Sequence, residues 1–303
     1  MKTSADWRRS LARVFPGAVF DEPLSRHTTF KIGGPADCYA EPANAEELRA
    51  LVGASADAGL PLRMIGMGSN LLVLDGGVRG IVARLKGDFE TLNLSGGSLI
   101  QVGAGVRMPK MIAWAGERGL GGAEYLAGIP GTAGGALVMN AGTKEGEIGA
   151  LVLEVSVLDR KTLSTQALSP AEAAFSYRSS RLDPFIVLGA LLQLKPGERD
   201  GIIERIQGFQ HKRLVTQPVH TFNVGSVFKN PPGLFVGKLL EDVGLKGLRI
   251  GGARISPKHA NFIENVEAAK ASDVLELVRI AREKAMEKYS VALELEVRTI
   301  GEP

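Results

Sequence analysis

The segment Gly128-Ile129-Pro130-Gly131-Thr132-Ala133-Gly134-Gly135 carries four glycines around a proline. Glycine has no Cβ to hold a ligand away from the main chain, and proline stiffens the loop, so the run suits close backbone approach to a bound group. Turn formation alone rarely needs so many glycines. Asn140-Ala141-Gly142 follows shortly after. A second small-residue loop, Gly66-Met67-Gly68-Ser69-Asn70, comes directly after an apolar stretch at residues 62–65. A loop of this kind behind a buried strand presents a concave row of backbone N–H donors, which suits phosphate oxygens. Neither loop is a Rossmann fingerprint. Gly66-Met67-Gly68-Ser69-Asn70-Leu71 lacks the third glycine, and Gly103-Ala104-Gly105 reaches Met108 where that glycine belongs. No Gly-Lys-Ser/Thr follows either one, which excludes a P-loop. Taken alone, each short loop also reads as a structural turn.

Loops of this type need strands and helices to hold them, and the periodicity supplies both. Leu48, Leu51 and Val52 lie at helical spacing within residues 46–58, Gly59 ends that run, and residues 62–65 read as a buried strand. Strands are expected at 71–74, 81–85 and 99–102, with a turn at Asp75-Gly76-Gly77 and a helix at 108–119. Residues 151–158 and 186–194 read as strands around a polar loop. The stretch Lys195-Pro196-Gly197-Glu198-Arg199-Asp200 is the best boundary, since a strand stops there and an amphipathic helix over 202–214 starts a new pattern. The expected domains are therefore 1–197 and 198–303. The second should hold a helix at 235–243, a turn at Gly251-Gly252 and a strand at 261–264. A helix capped by Ser272 carries Val274, Val278, Ala281, Ala285 and Tyr289 on one face, and a strand over 293–300 follows it.

Composition narrows the function classes. The chain has 303 residues, 45% of them hydrophobic, enough for a substantial core in one or two domains. Its apolar runs stop well short of the roughly 18 residues of a spanning helix. The first fifteen residues set Trp7, Leu11, Val14 and Phe15 among Arg8, Arg9 and Arg13, without the apolar core of a secretory signal, so a cytoplasmic location is expected. The single cysteine, Cys38, can form neither an internal disulfide nor a thiolate metal cluster. The histidines, His27, His211, His220 and His259, lack the i, i+4 spacing of a helical metal site, and no metal is expected. A net charge of +3 without a basic, aromatic-interleaved stripe argues against nucleic acid and suits an anionic small substrate. Glycine is the anomaly: 38 residues, against a usual share of about 7%.

The glycine loops carry a family resemblance. Gly66-Met67-Gly68-Ser69-Asn70-Leu71-Leu72, Gly128 to Gly135 and Asn140-Ala141-Gly142 resemble the flavin-binding loops of the UDP-N-acetylenolpyruvoylglucosamine reductases. Thr28-Thr29-Phe30-Lys31-Ile32-Gly33-Gly34, Phe175-Ser176-Tyr177-Arg178, Gly225-Ser226-Val227-Phe228-Lys229-Asn230-Pro231 and residues 293–301 are similar to further segments of that family, in the same order. The resemblance implies an α+β fold: a two-part FAD-binding domain of the vanillyl-alcohol-oxidase type, made of two α+β subdomains, and a C-terminal α+β substrate-binding domain. It also implies non-covalent FAD, NADPH as hydride donor, a nucleotide-sugar substrate, and no membrane or obligatory protein partner. Little room for an insertion exists between Val243 and Gly252, as in the family's shorter type, which lacks a tyrosine loop.

Residue roles follow from the same resemblance. Arg178, Ser226 and Glu296 match the catalytic positions, with Ser226 as proton donor. Ile65, Gly66, Met67, Gly68, Ser69, Asn70, Leu71, Gly128, Ile129, Pro130, Gly131, Gly134, Gly135, Asn140 and Gly142 match cofactor-binding positions. Tyr177, Lys229, Asn230 and Arg298 match substrate-binding positions; His259, Lys212 and Arg213 stay unassigned. Residue chemistry alone leaves alternatives: Ser226 as a turn or capping serine, Arg178 as a surface cation beside Arg181, and Glu296 on a solvated strand face with Glu294. Two rival functions are a flavin oxidase of the same superfamily and a non-catalytic nucleotide-sugar-binding protein.

Overall fold

The computed structural model describes residues 4–303, which pack as two compact units. The first unit takes the described residues up to Val19, together with Tyr39–Gly66 and Ile81–Lys212; the second takes Phe20–Cys38, Met67–Gly80 and Arg213–Pro303. The chain thus passes between units several times, and the glycine loop that begins at Gly66 lies at one of these passages. The boundary expected after Gly197 falls inside the first unit. Its physical reason is the helix Arg199–Thr216, whose apolar residues Ile202 and Ile206 are buried in the first unit's core.

In the first unit, an antiparallel sheet runs in the order Thr165–Leu168, Val152–Asp159, Phe185–Gln193, Leu99–Gly103, Leu92–Leu94. Its inward side chains, including Val155, Val157, Ala190, Leu192, Ile100 and Val102, are fully buried, as a period-2 pattern demands of a sheet covered on one face. The helices Met108–Glu117 and Ala133–Val138 contribute Met108, Met111, Ile112, Ala133 and Leu137 to the same core. Glu124, buried, accepts both Nε and Nη2 of Arg205 at 3.1 and 2.8 Å, which ties the long helix to the loop ahead of the glycine-rich run. Upstream, the helix Ala45–Asp57 starts at Asn44, whose side chain accepts the Glu47 N–H. It leads into Leu62–Met64, which pairs in parallel with Ile81 to Ala83.

The second unit holds an antiparallel sheet of short strands in the order Phe222–Asn223, Ile263–Asn265, Ala253–Ile255, Arg249–Ile250. The helix Ala271–Tyr289 buries Val274, Leu277, Val278, Ala281 and Ala285 in a core shared with Phe30, Ile32, Leu72 and Phe228. Ser272 lies inside this helix and does not cap it. The first N–H groups, of Ala271 and Ser272, are instead accepted by the distant carboxylate of Asp75 at 2.8 and 3.0 Å. Burial raises the Asp75 pKa, yet those two backbone donors and Lys270 bring it below its ordinary value overall. The strand expected over 293–300 reduces to Arg298–Ile300, parallel to Leu71–Val73; Leu295 upstream forms only an isolated bridge to Phe228. Among the described residues no helix is long and apolar enough to cross a membrane.

Candidate active site

Within the first unit the glycine-rich segments converge. Gly66 lies against Thr132: a Cβ at Gly66 would stand 2.6 Å from the Thr132 hydroxyl, which is the N-cap acceptor for the Gly135 N–H. The Gly66 carbonyl accepts Nε of Arg84 at 2.7 Å. Gly128 and Gly131 take φ of +78° and +124°, conformations that side chains disfavour, and a Cβ at Gly134 would lie 2.9 Å from that of Ala104. The glycines are therefore demanded both by backbone shape and by close packing.

Asn140, just downstream, is buried at 2% exposure and its side-chain amide is committed to protein groups. Its Nδ2 donates to Glu147 Oε2 at 2.7 Å and to the Ser176 carbonyl at 2.9 Å, while its Oδ1 accepts the Gly149 N–H at 2.9 Å. Glu147 in turn accepts Nη1 of Arg178 at 3.3 Å, and Nη2 of the same guanidinium donates to the Gly142 carbonyl at 2.9 Å. Arg178 stands in the left-handed region at φ +54°, inside a turn closed by reciprocal Ser176 and Ser179 backbone bonds. Such a conformation in a bulky residue costs of order 1 kcal/mol or more and survives only where neighbours enforce it. The Tyr177 ring lies beneath the guanidinium, 4.8 Å from its centroid to Cζ. Tyr125 donates its hydroxyl to the Glu147 carbonyl; burial, then Glu124 and Glu147, push its phenol up to about 12. Sequence reasoning missed Glu147 entirely, because a glutamate in a short polar loop carries no periodic signal.

In the second unit Ser226 and Glu296 lie on adjoining backbone segments. The Val227 carbonyl accepts the N–H of Glu296 at 2.9 Å and of Val297 at 3.3 Å. Gly225, at φ +78°, bends the chain ahead of Ser226, and its N–H is accepted by Asn223 Oδ1 in a side-chain-closed turn. The Ser226 hydroxyl is half-buried and makes no hydrogen bond among the described residues. Buried Asn261 grips Phe228, two residues past Ser226, twice, accepting its N–H at 3.0 Å and donating to its carbonyl at 2.8 Å; the Asn261 carbonyl also accepts the Val227 N–H. Behind Glu296, its carbonyl accepts Nδ2 of Asn70 at 3.0 Å, and the Asn70 carbonyl accepts the Arg298 N–H. The Asn70 side chain thus ties down the glutamate segment.

Other expected positions have local partners. Lys229 pairs with exposed Glu294, and Asn230 Oδ1 accepts the Val236 N–H at the start of the helix Val236–Asp242. Lys212 pairs with Glu145 at 3.0 Å. The His259 ring packs on Gly237 and edge-on against Phe262 and accepts the Asn261 N–H; burial, with Lys246 adding, lowers its pKa. Among the described residues no group of His, Cys, Asp or Glu could hold a metal ion.

Residues 36–162 match a family model described as FAD binding domain, and residues 217–300 match one described as UDP-N-acetylenolpyruvoylglucosamine reductase, C-terminal domain. A UDP-N-acetylenolpyruvoylglucosamine reductase of Moorella thermoacetica is 46% identical over 93% of both chains. The chain belongs to the UDP-N-acetylenolpyruvoylglucosamine reductase family. A second reductase of that name, from Symbiobacterium thermophilum, is 43% identical over 99% of this chain and 98% of its own. The crystal structure of the Thermus caldophilus UDP-N-acetylenolpyruvylglucosamine reductase superposes with a TM-score of 0.82 at 40% identity, covering 94% of this chain and 98% of that one. As a member of the reductase family the chain is an FAD-dependent oxidoreductase with the expected α+β architecture. Its glycine loop fits that cofactor: the N–H groups of Met67, Gly68 and Asn70 donate to no protein group among the described residues. A Cβ at Gly68 would strike the His27 carbonyl and Thr28 Cα at 2.8 Å, so the donor row stays bare of side chain there.

Proposed function

We propose that this chain reduces the enolpyruvyl ether of UDP-N-acetylglucosamine to UDP-N-acetylmuramate, in the cytoplasm, with NADPH as hydride source, and that it is of the family's shorter type. The observation that carries the reading is the bond from the Glu296 N–H to the Val227 carbonyl, which keeps the loop of a candidate proton donor, Ser226, beside a candidate charged partner. Bound FAD supplies the hydride relay from NADPH to the terminal enolpyruvyl carbon.

The cofactor is held by Ile65, Gly66, Met67, Gly68, Ser69, Asn70, Leu71, Gly128, Ile129, Pro130, Gly131, Gly134, Gly135 and Gly142, acting mostly through backbone. Tyr177, Lys229, Asn230 and Arg298 help to bind the substrate. The planar fork of donors on the Arg178 guanidinium stabilises the negative charge that spreads into the substrate carboxylate. The Ser226 hydroxyl gives its proton to the carbon next to the one that received hydride, which completes saturation of the double bond. A serine is a weak acid, but a carbanion-like centre is a strong base, and Glu296 supports the transfer.

The test is an anaerobic spectrum of the purified protein, followed by NADPH and then by UDP-N-acetylglucosamine enolpyruvate. Bleaching by NADPH and return of the yellow colour with substrate is the expected result. A flavin that bleaches but recovers only with oxygen makes the chain an oxidase and overturns the reading.

A further inference from the structure

We infer that Asn140 is a positioning residue for Arg178 rather than a contact of the cofactor, acting jointly with Glu147. This rests on the proposed role of Arg178 and extends it to residues that the family resemblance does not assign to that task.

One amide holds both ends of the arginine. Through its bond to Glu147 Oε2 at 2.7 Å, Asn140 fixes the carboxylate that meets the Arg178 guanidinium. Through its bond to the Ser176 carbonyl at 2.9 Å, it fixes the turn whose left-handed residue is Arg178 itself. Its Oδ1 is occupied as well, by the Gly149 N–H, and a Cβ at Gly149 would lie 2.7 Å from that oxygen. Every group of the side chain is therefore spent inside the protein, in a residue 2% exposed. Asn140 holds φ +42°, so the anchor and the anchored residue both sit in strained backbone. Networks of this kind lose more than one bond's worth when a member is removed, because the remaining buried groups go unpaired. An arginine displaced by about 1 Å from a charge that develops during reaction costs on the order of 100-fold in rate.

Asn140→Asp is the informative variant. It keeps the shape and removes the donor, setting a second carboxylate against Glu147, with Arg178 and the Tyr125 hydroxyl as the other polar groups nearby. The expected result is normal FAD content, normal bleaching by NADPH, and re-oxidation by the enolpyruvyl substrate slowed by about 100-fold near neutral pH. Re-oxidation should recover as pH falls, because a proton shared between the two carboxyls restores a donor toward Glu147. In the protein without substrate, amide exchange at Ser176 and Ser179 should quicken in Asn140→Asp and stay slow in Glu147→Gln. Glu147→Gln, which removes the charge but leaves the turn gripped, should slow the substrate step with FAD retained, and it carries the test if Asn140→Asp does not fold. Loss of FAD with an unimpaired substrate step would make Asn140 a cofactor contact and overturn the inference, as would wild-type rates and pH profile in both variants. If the wild-type flavin is not re-oxidised by the substrate, the functional reading fails first and the inference falls with it.

Discussion

The Glu296 N–H donates to the Val227 carbonyl at 2.9 Å, so the glutamate and the serine preceding that valine share one backbone connection. Side chains far apart in sequence are thereby held in a fixed relation by main-chain geometry that substitution of either side chain leaves in place. Removing the Ser226 hydroxyl should therefore isolate a chemical effect. Ser226→Ala is expected to take hydride from NADPH at the wild-type rate and to lose about 100- to 10,000-fold in re-oxidation by substrate, the range for loss of a general acid. Anaerobic stopped-flow absorbance separates the two steps, and wild-type turnover would remove Ser226 from the mechanism.

Asn261 holds the other side of the same loop. With both of its amide groups bonded to the Phe228 backbone in a buried setting, Asn261→Leu leaves a buried N–H and C=O without partners. The expected cost is about 2–6 kcal/mol, from about 1–3 kcal/mol for each of the two orphaned groups. A urea titration should show a lower midpoint with an unchanged slope.

Gly66 has no room for a methyl group. Gly66→Ala would press its Cβ on the Thr132 hydroxyl and disturb the N-cap of Ala133–Val138, costing about 0.5–2 kcal/mol. Because the same residue opens the donor loop, FAD content should fall as well. The ratio of visible to protein absorbance after purification reports it; full flavin content would exclude Gly66 from the cofactor loop.

Burial lowers the pKa of His259 in the fold, with Lys246 adding and Glu241 opposing. The unfolded chain, with a histidine pKa of about 6.5, binds the proton more readily, so stability is complete above that pH and is lost as pH falls through the lower folded value. The urea midpoint should drop on going from about pH 7.5 to about pH 5, and His259→Phe should flatten that part of the profile. An equal slope in the variant would assign the acid sensitivity to other groups.

Much of the glycine-loop reading was legible in residues alone. Four glycines around Pro130 constrain the backbone wherever the chain folds, and helices such as Ala45–Asp57 announce themselves by local spacing. The cap at Ala271–Tyr289 is invisible to local reading because its acceptor, Asp75, lies almost two hundred residues away, and nothing local to Ser272 signals it. The break between the two units is hidden for a similar reason: the helix Arg199–Thr216 follows a turn-rich stretch, yet Ile202 and Ile206 find their core behind it rather than ahead.

By itself, then, the sequence determined what local chemistry dictates: loops that tolerate close ligand approach, helices and strands with one apolar face, and motifs similar to those of the reductase family. Tertiary structure decided which partner each polar group finds. Arg178 and Arg181 are equally cationic on paper, but Arg178 alone stands at φ +54° between Glu147 and the Gly142 carbonyl, beneath the grip of Asn140. Hydrogen bonds of this length depend on atoms from loops distant in sequence meeting within about 3 Å. No spacing rule encodes such a meeting, because it is fixed only after the sheets and helices have packed.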